Sequence, residues 1–419
     1  MQQRAPGAEL SIAIFSGANA DEANVTGTIS ALTTALACEF AGLKDVCVYE
    51  HSPSVASTSN AAGNHSVELS PNASRILRSL GVLDELRAHS FEPQFIHQRS
   101  YRTGFQLAVT ALGAMAEGRY NAPFLHVQGS ALLDVLRNRA NARGIKRTRV
   151  DTLQGITQSA APADQVGQLE LQFAAGPPCS HDVLLVADDP NQKIRALSNA
   201  APVSRTPTPL THWRGTLPQA ELPAGAFGSV VTQWLGPTQH FSYHFTAGGE
   251  ALEFSALAET PAQSKEQLLA VFANWHPSIN RLISTAASLT REPIYQTAQV
   301  QRLAHGQIGF LGAGCHDLMP HLPQQQALGI EDAWVISRLL EQWEDEPAAG
   351  LVEFERYRLP RAQRLQSQAS ARANMLCATA PLATWRRNLA LTFGSRFLPE
   401  LAMQKNDWLY GYDAVNGFL

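Results

Sequence analysis

The first fifty residues constrain this chain more than any other segment. Residues 11–15 read Ser-Ile-Ala-Ile-Phe, a short apolar run with the length of a buried strand. A helix is expected over 28–41, with Ile29, Leu32, Leu36 and Phe40 on one face and Gly42 as its stop. Residues 45–50 (Asp-Val-Cys-Val-Tyr-Glu) form a second strand that closes on an acid. Strand, helix and strand in this order open a Rossmann-like sheet of the dinucleotide-binding kind.

Further along, Ser70-Pro71-Asn72 starts an amphipathic helix that runs to Leu86. Another helix is expected over 127–142, and 183–186 (Val-Leu-Leu-Val) reads as a later buried strand. The pattern then changes. Between 204 and 259, strand-like runs separated by Pro and Gly turns predict an antiparallel sheet, a lid over the first domain. A helix over 265–273, a strand over 307–311, helices over 330–343 and 351–375, and helical pieces with several aromatics over 385–419 complete the chain. The expected fold is α/β. A discontinuous dinucleotide-binding-like domain takes 1–200 and 290–375, a mainly antiparallel substrate domain takes 201–289, and a helical segment takes 376–419.

With 419 residues and 45% hydrophobic content, the chain can bury a large core. Its net charge of -4 and lack of a basic run argue against nucleic acid or an anionic membrane as partner. No apolar signal core and no run of about 18 apolar residues is present. The five cysteines, Cys38, Cys47, Cys179, Cys315 and Cys377, are an odd set without a C-x-x-C, as expected of reduced thiols in the cytoplasm.

Gly309-Phe310-Leu311-Gly312-Ala313-Gly314-Cys315-His316-Asp317-Leu318-Met319-Pro320 resembles the "GDAAHPMLP" segment of the flavin-dependent aromatic hydroxylases, the salicylate and p-hydroxybenzoate hydroxylase family. Other landmarks match that family in order. They are VELSPNASRILRSLGVLDEL, WRGTLP at 213–218, WLGPTQHFSYHF, IEDAWVISRLL and FERYRLPRAQRLQ. The resemblance covers nearly the whole chain. It implies a p-hydroxybenzoate hydroxylase-type fold with FAD between sheet and lid.

The cofactor contacts implied by that resemblance are missing. Counting back from Gly42, the family's G-x-G-x-x-G positions fall on Thr26, Thr28 and Ala31; counting from Glu50 puts them on Gly27, Ile29 and Leu32. Gly17 keeps a first turn, but the connection is several residues too long and carries Asp21 and Glu22, which repel phosphate. The family's His-Arg pair reads Gln128-Gly129, its Asp at the ribityl chain reads Ala313, and the glycine of its Gln-Gly turn reads Gln325. Its Ala-Asp-Gly turn reads Ala187-Asp188-Asp189. Only Glu50, the usual ribose acceptor, remains.

These losses predict a pseudo-flavoenzyme with no cofactor and no metal. The expected activity is a non-redox isomerisation or cyclisation of an aromatic or polycyclic natural-product intermediate, with acid-assisted epoxide rearrangement as a concrete form. Asp317, in place of the family's proline, is the candidate general acid, because an apolar pocket raises a carboxyl pKa. His316 and Tyr243 are the other catalytic candidates. Trp234, His244, Glu253, His321 and Arg214 are candidate substrate contacts, although strand alternation allows only one of the neighbours Tyr243 and His244 to face the pocket. The alternatives are an FAD- and NAD(P)H-dependent monooxygenase with altered cofactor contacts and a non-catalytic small-molecule binding protein.

Overall fold

The computed structural model describes residues 9–17, 25–51, 65–159, 167–189, 191–222, 227, 230–259, 262–312, 315 and 318–417. The first strand, Ile12–Ser16, is buried along its whole length. It pairs in parallel with Val46–His51 on one side and Val183–Asp188 on the other. The full sheet has six strands in the order Ala304–His305, Ile308–Phe310, Val183–Asp188, Ile12–Ser16, Val46–His51, Lys146–Val150. All its pairings are parallel except that of the hairpin Ala304–His305/Ile308–Phe310.

The first helix spans Val25–Phe40, three residues longer at its start than periodicity predicts. It lies between the sheet and the helix Gln325–Gln342, so it is buried nearly all round, including Thr33 and Thr34. Their hydroxyls bond back to the carbonyls of Ile29 and Ser30, which lets polar side chains sit in the core. Gly42 stops the helix at φ +90°, a conformation other residues resist.

A seven-stranded sheet stands over this layer. Its order is Leu289–Thr297, Arg205–Pro218, Ala251–Glu259, His240–Phe245, Val231–Leu235, Phe95–Ser100, Gln106–Ala111. Pairing is antiparallel except between Val231–Leu235 and Phe95–Ser100. The lid is therefore wider than the expected 201–289. It takes two strands from ahead of that boundary and one from behind it. Those strands lie at or next to the sheet edges and are half-exposed, so their sequences lack the apolar alternation that marks the central ones. On the far side of the lid, helices Lys265–Val271 and Pro277–Thr285 enclose Leu217, Phe241, Phe272 and Trp275.

Behind the lower sheet, Gln325–Gln342 packs against the long helix Pro347–Leu376, and Pro381–Phe397 follows. Among the described residues no helix is long and apolar enough to cross a membrane.

Candidate functional site

A cavity of about 530 Å³ separates the two sheets. At one end lie Val25 and Thr26, at the start of the first helix, with Asp188 and Asp189 at the end of Val183–Asp188. At the other end lie Glu68 and His126 from the lower layer, His212, Arg214, His240, His244 and Glu253 from the lid, and the segment 318–326.

Glycines decide the first end. A Cβ on Gly27 would come 2.4 Å from Asp188 Cβ, and one on Gly17 would come 2.6 Å from the Asp188 carbonyl oxygen. The helix and the strand approach each other only because both positions lack side chains, which is the packing role of glycine in a nucleotide-binding turn. This corrects the reading of Thr26, Thr28 and Ala31 as lost glycine positions. All three lie inside the helix, which begins at Val25. The frame counted back from Gly42 misses Gly27 by one residue, whereas the frame counted from Glu50 places a glycine position on Gly27. Gln128-Gly129 does lack a cation: Gly129 begins the helix Gly129–Ala142 and donates its N–H to the His65 carbonyl.

Alternation decides the lid. On His240–Phe245, His240, Ser242 and His244 line the cavity, while Phe241, Tyr243 and Phe245 pack with the apolar core on the helix-covered side. Tyr243 lies 5.3 Å from the Phe227 ring, and Trp234 stacks on His276 at 5.0 Å. Neither touches the cavity, so the expected roles of Tyr243 in catalysis and Trp234 in substrate binding are corrected. Their bulk serves the core between sheet and helices. His244, Glu253, His321 and Arg214 do line the cavity. Asp317, His316 and Ala313 lie outside the described residues.

Six histidines line the cavity: His65, His126, His212, His240, His244 and His321. Burial holds His126, His212 and His240 well below the usual imidazole range, with neighbouring cationic or imidazole groups adding to it. Burial and then the charge of Arg372 bring His321 down to about 4. The His126 and His244 rings lie 4.3 Å apart. His240 and His321 are separated by 5.7 Å. Among the described residues, His240 Nε2 and His321 Nδ1 have no hydrogen-bond partner, and His321 Nε2 lies 3.3 Å from Cys377 Sγ. These neutral imidazoles offer donors and acceptors to a ligand, since buried polar atoms normally find partners.

Two carboxyls behave oppositely. Burial alone would push Glu253 up, but His65 and His244 and the Ser66 backbone hold it below its ordinary value. It accepts from Ser66 N at 2.9 and 3.1 Å and from Ser66 Oγ at 2.8 Å, tying lid to lower layer. Glu68 is pushed up to about 7 by burial, against the pull of Arg372. Glu68, His126 and His212 were invisible as site residues in the sequence, since each sits on an unremarkable strand. Arg214 Nε points at His212 Nε2, 3.4 Å away, and its Nη2 lies 3.9 Å from Glu292. Gln325 lines the cavity and accepts from Leu318 N at 2.8 Å, which braces the 318–326 segment. Cys315 is buried beside the Gly312 carbonyl. Among the described residues no cluster suited to a metal occurs.

No family profile matches the chain. It is 28% identical over 345 residues to 3-amino-4-hydroxybenzoate 2-monooxygenase of Streptomyces cremeus, covering 81% of this chain and 84% of that enzyme. It is 26% identical over 386 residues to 6-hydroxynicotinate 3-monooxygenase of Bordetella bronchiseptica, covering 88% and 89%. The crystal structure of Klebsiella pneumoniae HpxO complexed with FAD and uric acid superposes with a TM-score of 0.74 at 20% identity, over 94% of this chain and 96% of that one. The homologues of this chain are FAD-dependent aromatic hydroxylases, and its fold is that of FAD-binding monooxygenases. The expectation of an FAD-independent isomerase or cyclase, a pseudo-flavoenzyme, is overturned by these relatives, which are monooxygenases.

Proposed function

We propose that this protein is an FAD- and NAD(P)H-dependent monooxygenase that hydroxylates an aromatic or heteroaromatic carboxylic acid. One observation carries the reading beyond kinship. A single cavity runs from the N-terminus of a dinucleotide-type helix to a lid face lined with neutral imidazoles.

The described residues fit the cofactor. Val25 and Thr26 present a helix N-terminus, which favours a phosphate anion. Gly17 and Gly27 allow the close packing against Asp188 that the turn needs. Glu50 lies one residue before the end of the second strand, with one oxygen on Arg147 at 2.8 Å, near the position of a ribose acceptor. Bound flavin would supply the chemistry of taking electrons from a nicotinamide and activating oxygen. The chain's own residues bind and orient the ring. His240, His321 and Arg214 supply polar and cationic contacts for acidic substituents, and the tie between Glu253 and Ser66 keeps the lid over the cavity. The names of the relatives support such a substrate, because both 3-amino-4-hydroxybenzoate and 6-hydroxynicotinate are aromatic acids bearing a ring hydroxyl.

The test is the visible spectrum of the purified protein and its titration with FAD, followed by NAD(P)H oxidation with 3-amino-4-hydroxybenzoate and 6-hydroxynicotinate. A yellow protein or a saturable titration is expected, with oxidation stimulated by an aromatic acid. A colourless protein that ignores FAD would refute the proposal.

A further inference from the structure

The helix Pro381–Phe397 is patterned inside out. It lies along the strand Gln106–Ala111 at the edge of the lid. Its inward side is largely polar. Ser395 Oγ donates to the Val109 carbonyl at 3.1 Å and accepts from the Val109 N–H at 2.9 Å. Arg387 is buried and donates to the Leu376 carbonyl, and Thr384 Oγ1 donates to the Ala378 carbonyl at 3.1 Å. Leu391 supplies an apolar contact, against Leu107, Leu235 and Leu376.

The outward side carries the apolar bulk. Trp385, Leu389, Phe393 and Phe397 recur every four residues and are 60%, 40%, 56% and 63% exposed. Leu382 and Leu398 extend the stripe at its two ends, and Phe105 faces Trp385 and Leu389 across a shallow groove. A helix of a water-soluble fold normally turns its apolar stripe to its own core. Reversal of that rule over four turns marks a surface that meets another protein.

We infer that this stripe is the interface of a symmetric homodimer, with the helix of one protomer packed on the same helix of its partner. Three observations favour a second copy. The first is area. An aromatic side chain offers about 150–250 Å², so Trp385, Phe393, Phe397 and Phe105 with the three leucines present roughly 700 Å², close to the ~800 Å² that one side of a stable interface buries. The second is shape. A ridge of residues spaced by four fits the groove of an identical ridge, the commonest way two helices pack, at a crossing angle near about −50°. Such a contact is self-complementary and closes on a twofold axis. The third is charge. Only Arg386 and Arg396 are exposed cations on this helix, and the chain carries a net charge of -4, so an anionic membrane has little to attract it.

The test is the mass of the full-length protein by sedimentation or light scattering at micromolar concentration, for the wild type and for Phe393→Glu and Leu389→Glu. The expected wild-type mass is twice the 45.4 kDa of one chain. Each substitution is expected to weaken the dimer at least about tenfold, since it buries a charge at a dry contact. Thermal unfolding and far-ultraviolet circular dichroism report whether each variant folds, and Phe393→Ala, a milder truncation, repeats the measurement if the glutamates do not. A wild type that stays monomeric would overturn the inference. So would a dimer indifferent to all three substitutions, or a monomer that co-sediments with phosphatidylcholine/phosphatidylserine vesicles.

Discussion

Arg358 sits with its side chain wholly out of water and so offers a sharp test of how the cavity is braced. Its Nε donates to Asp332 Oδ1 at 2.6 Å and its Nη2 to Glu331 Oε2 at 2.7 Å. Glu331 also receives Arg361 through two bonds of 2.6 Å and Asn72 at 2.7 Å. Asp332 uses its other oxygen to hold Gly312 N at 2.9 Å, at the turn that leads to the cavity. In Arg358→Met, Glu331 keeps Arg361 and Asn72, but Asp332 is left a buried charge with one backbone N–H. Removing one partner of a buried ion pair costs about 3–5 kcal/mol, and that loss is expected in urea denaturation at pH 7. The pH dependence follows from Glu331. Burial pushes its carboxyl up, and Arg361 and Arg358 overcome that, leaving it below its ordinary value. A depressed carboxylate stabilises fully above its unfolded value of about 4.3 and loses that contribution as pH falls through the folded value. The gap between wild type and Arg358→Met is therefore expected to narrow below about pH 4. The exposed pair Arg356–Glu353 is the control, and Arg356→Met should cost no more than about 1 kcal/mol. A loss in Arg358→Met no larger than in Arg356→Met would refute the reasoning.

Gly27→Ala should lower FAD affinity and cost about 1–3 kcal/mol of stability, because the new Cβ meets Asp188 Cβ at 2.4 Å. An FAD titration and a urea melt would check it, and an unchanged affinity would remove Gly27 from the cofactor site. The buried histidines make the fold acid-sensitive. His321 at about 4 folded, against an ordinary value near 6.5, contributes stability above pH 6.5 that is lost as pH falls toward 4. At pH 5 that loss is about 2 kcal/mol for His321 alone. The urea midpoint should fall between pH 7 and pH 5, and the fall should be smaller in His321→Phe. In that variant, the affinity for 6-hydroxynicotinate should also drop about tenfold, one hydrogen bond to a charged group, and equal affinities by calorimetry would exclude His321 from the ligand contacts.

The sequence by itself determined the βαβ opening, the strand-rich lid and the helical end, because apolar periodicity and turn residues are local signals. It also determined the kinship, through motifs whose order survives even where single residues change. Glycine spacing along the chain does not by itself reveal the turn that packs against the sheet. Only the packed structure shows that Gly17 and Gly27 both meet Asp188, a contact across more than 160 residues of sequence. Alternation limited the pocket to one of Tyr243 and His244, but the choice belonged to the helices covering the other face, which claimed Tyr243 with Phe241 and Phe245. Glu68 and His126, paired across two strands that lie far apart in sequence, join His240 and His321 only because the lid folds down over them. What a side chain touches across a cavity is set by how layers stack, and no local pattern encodes that.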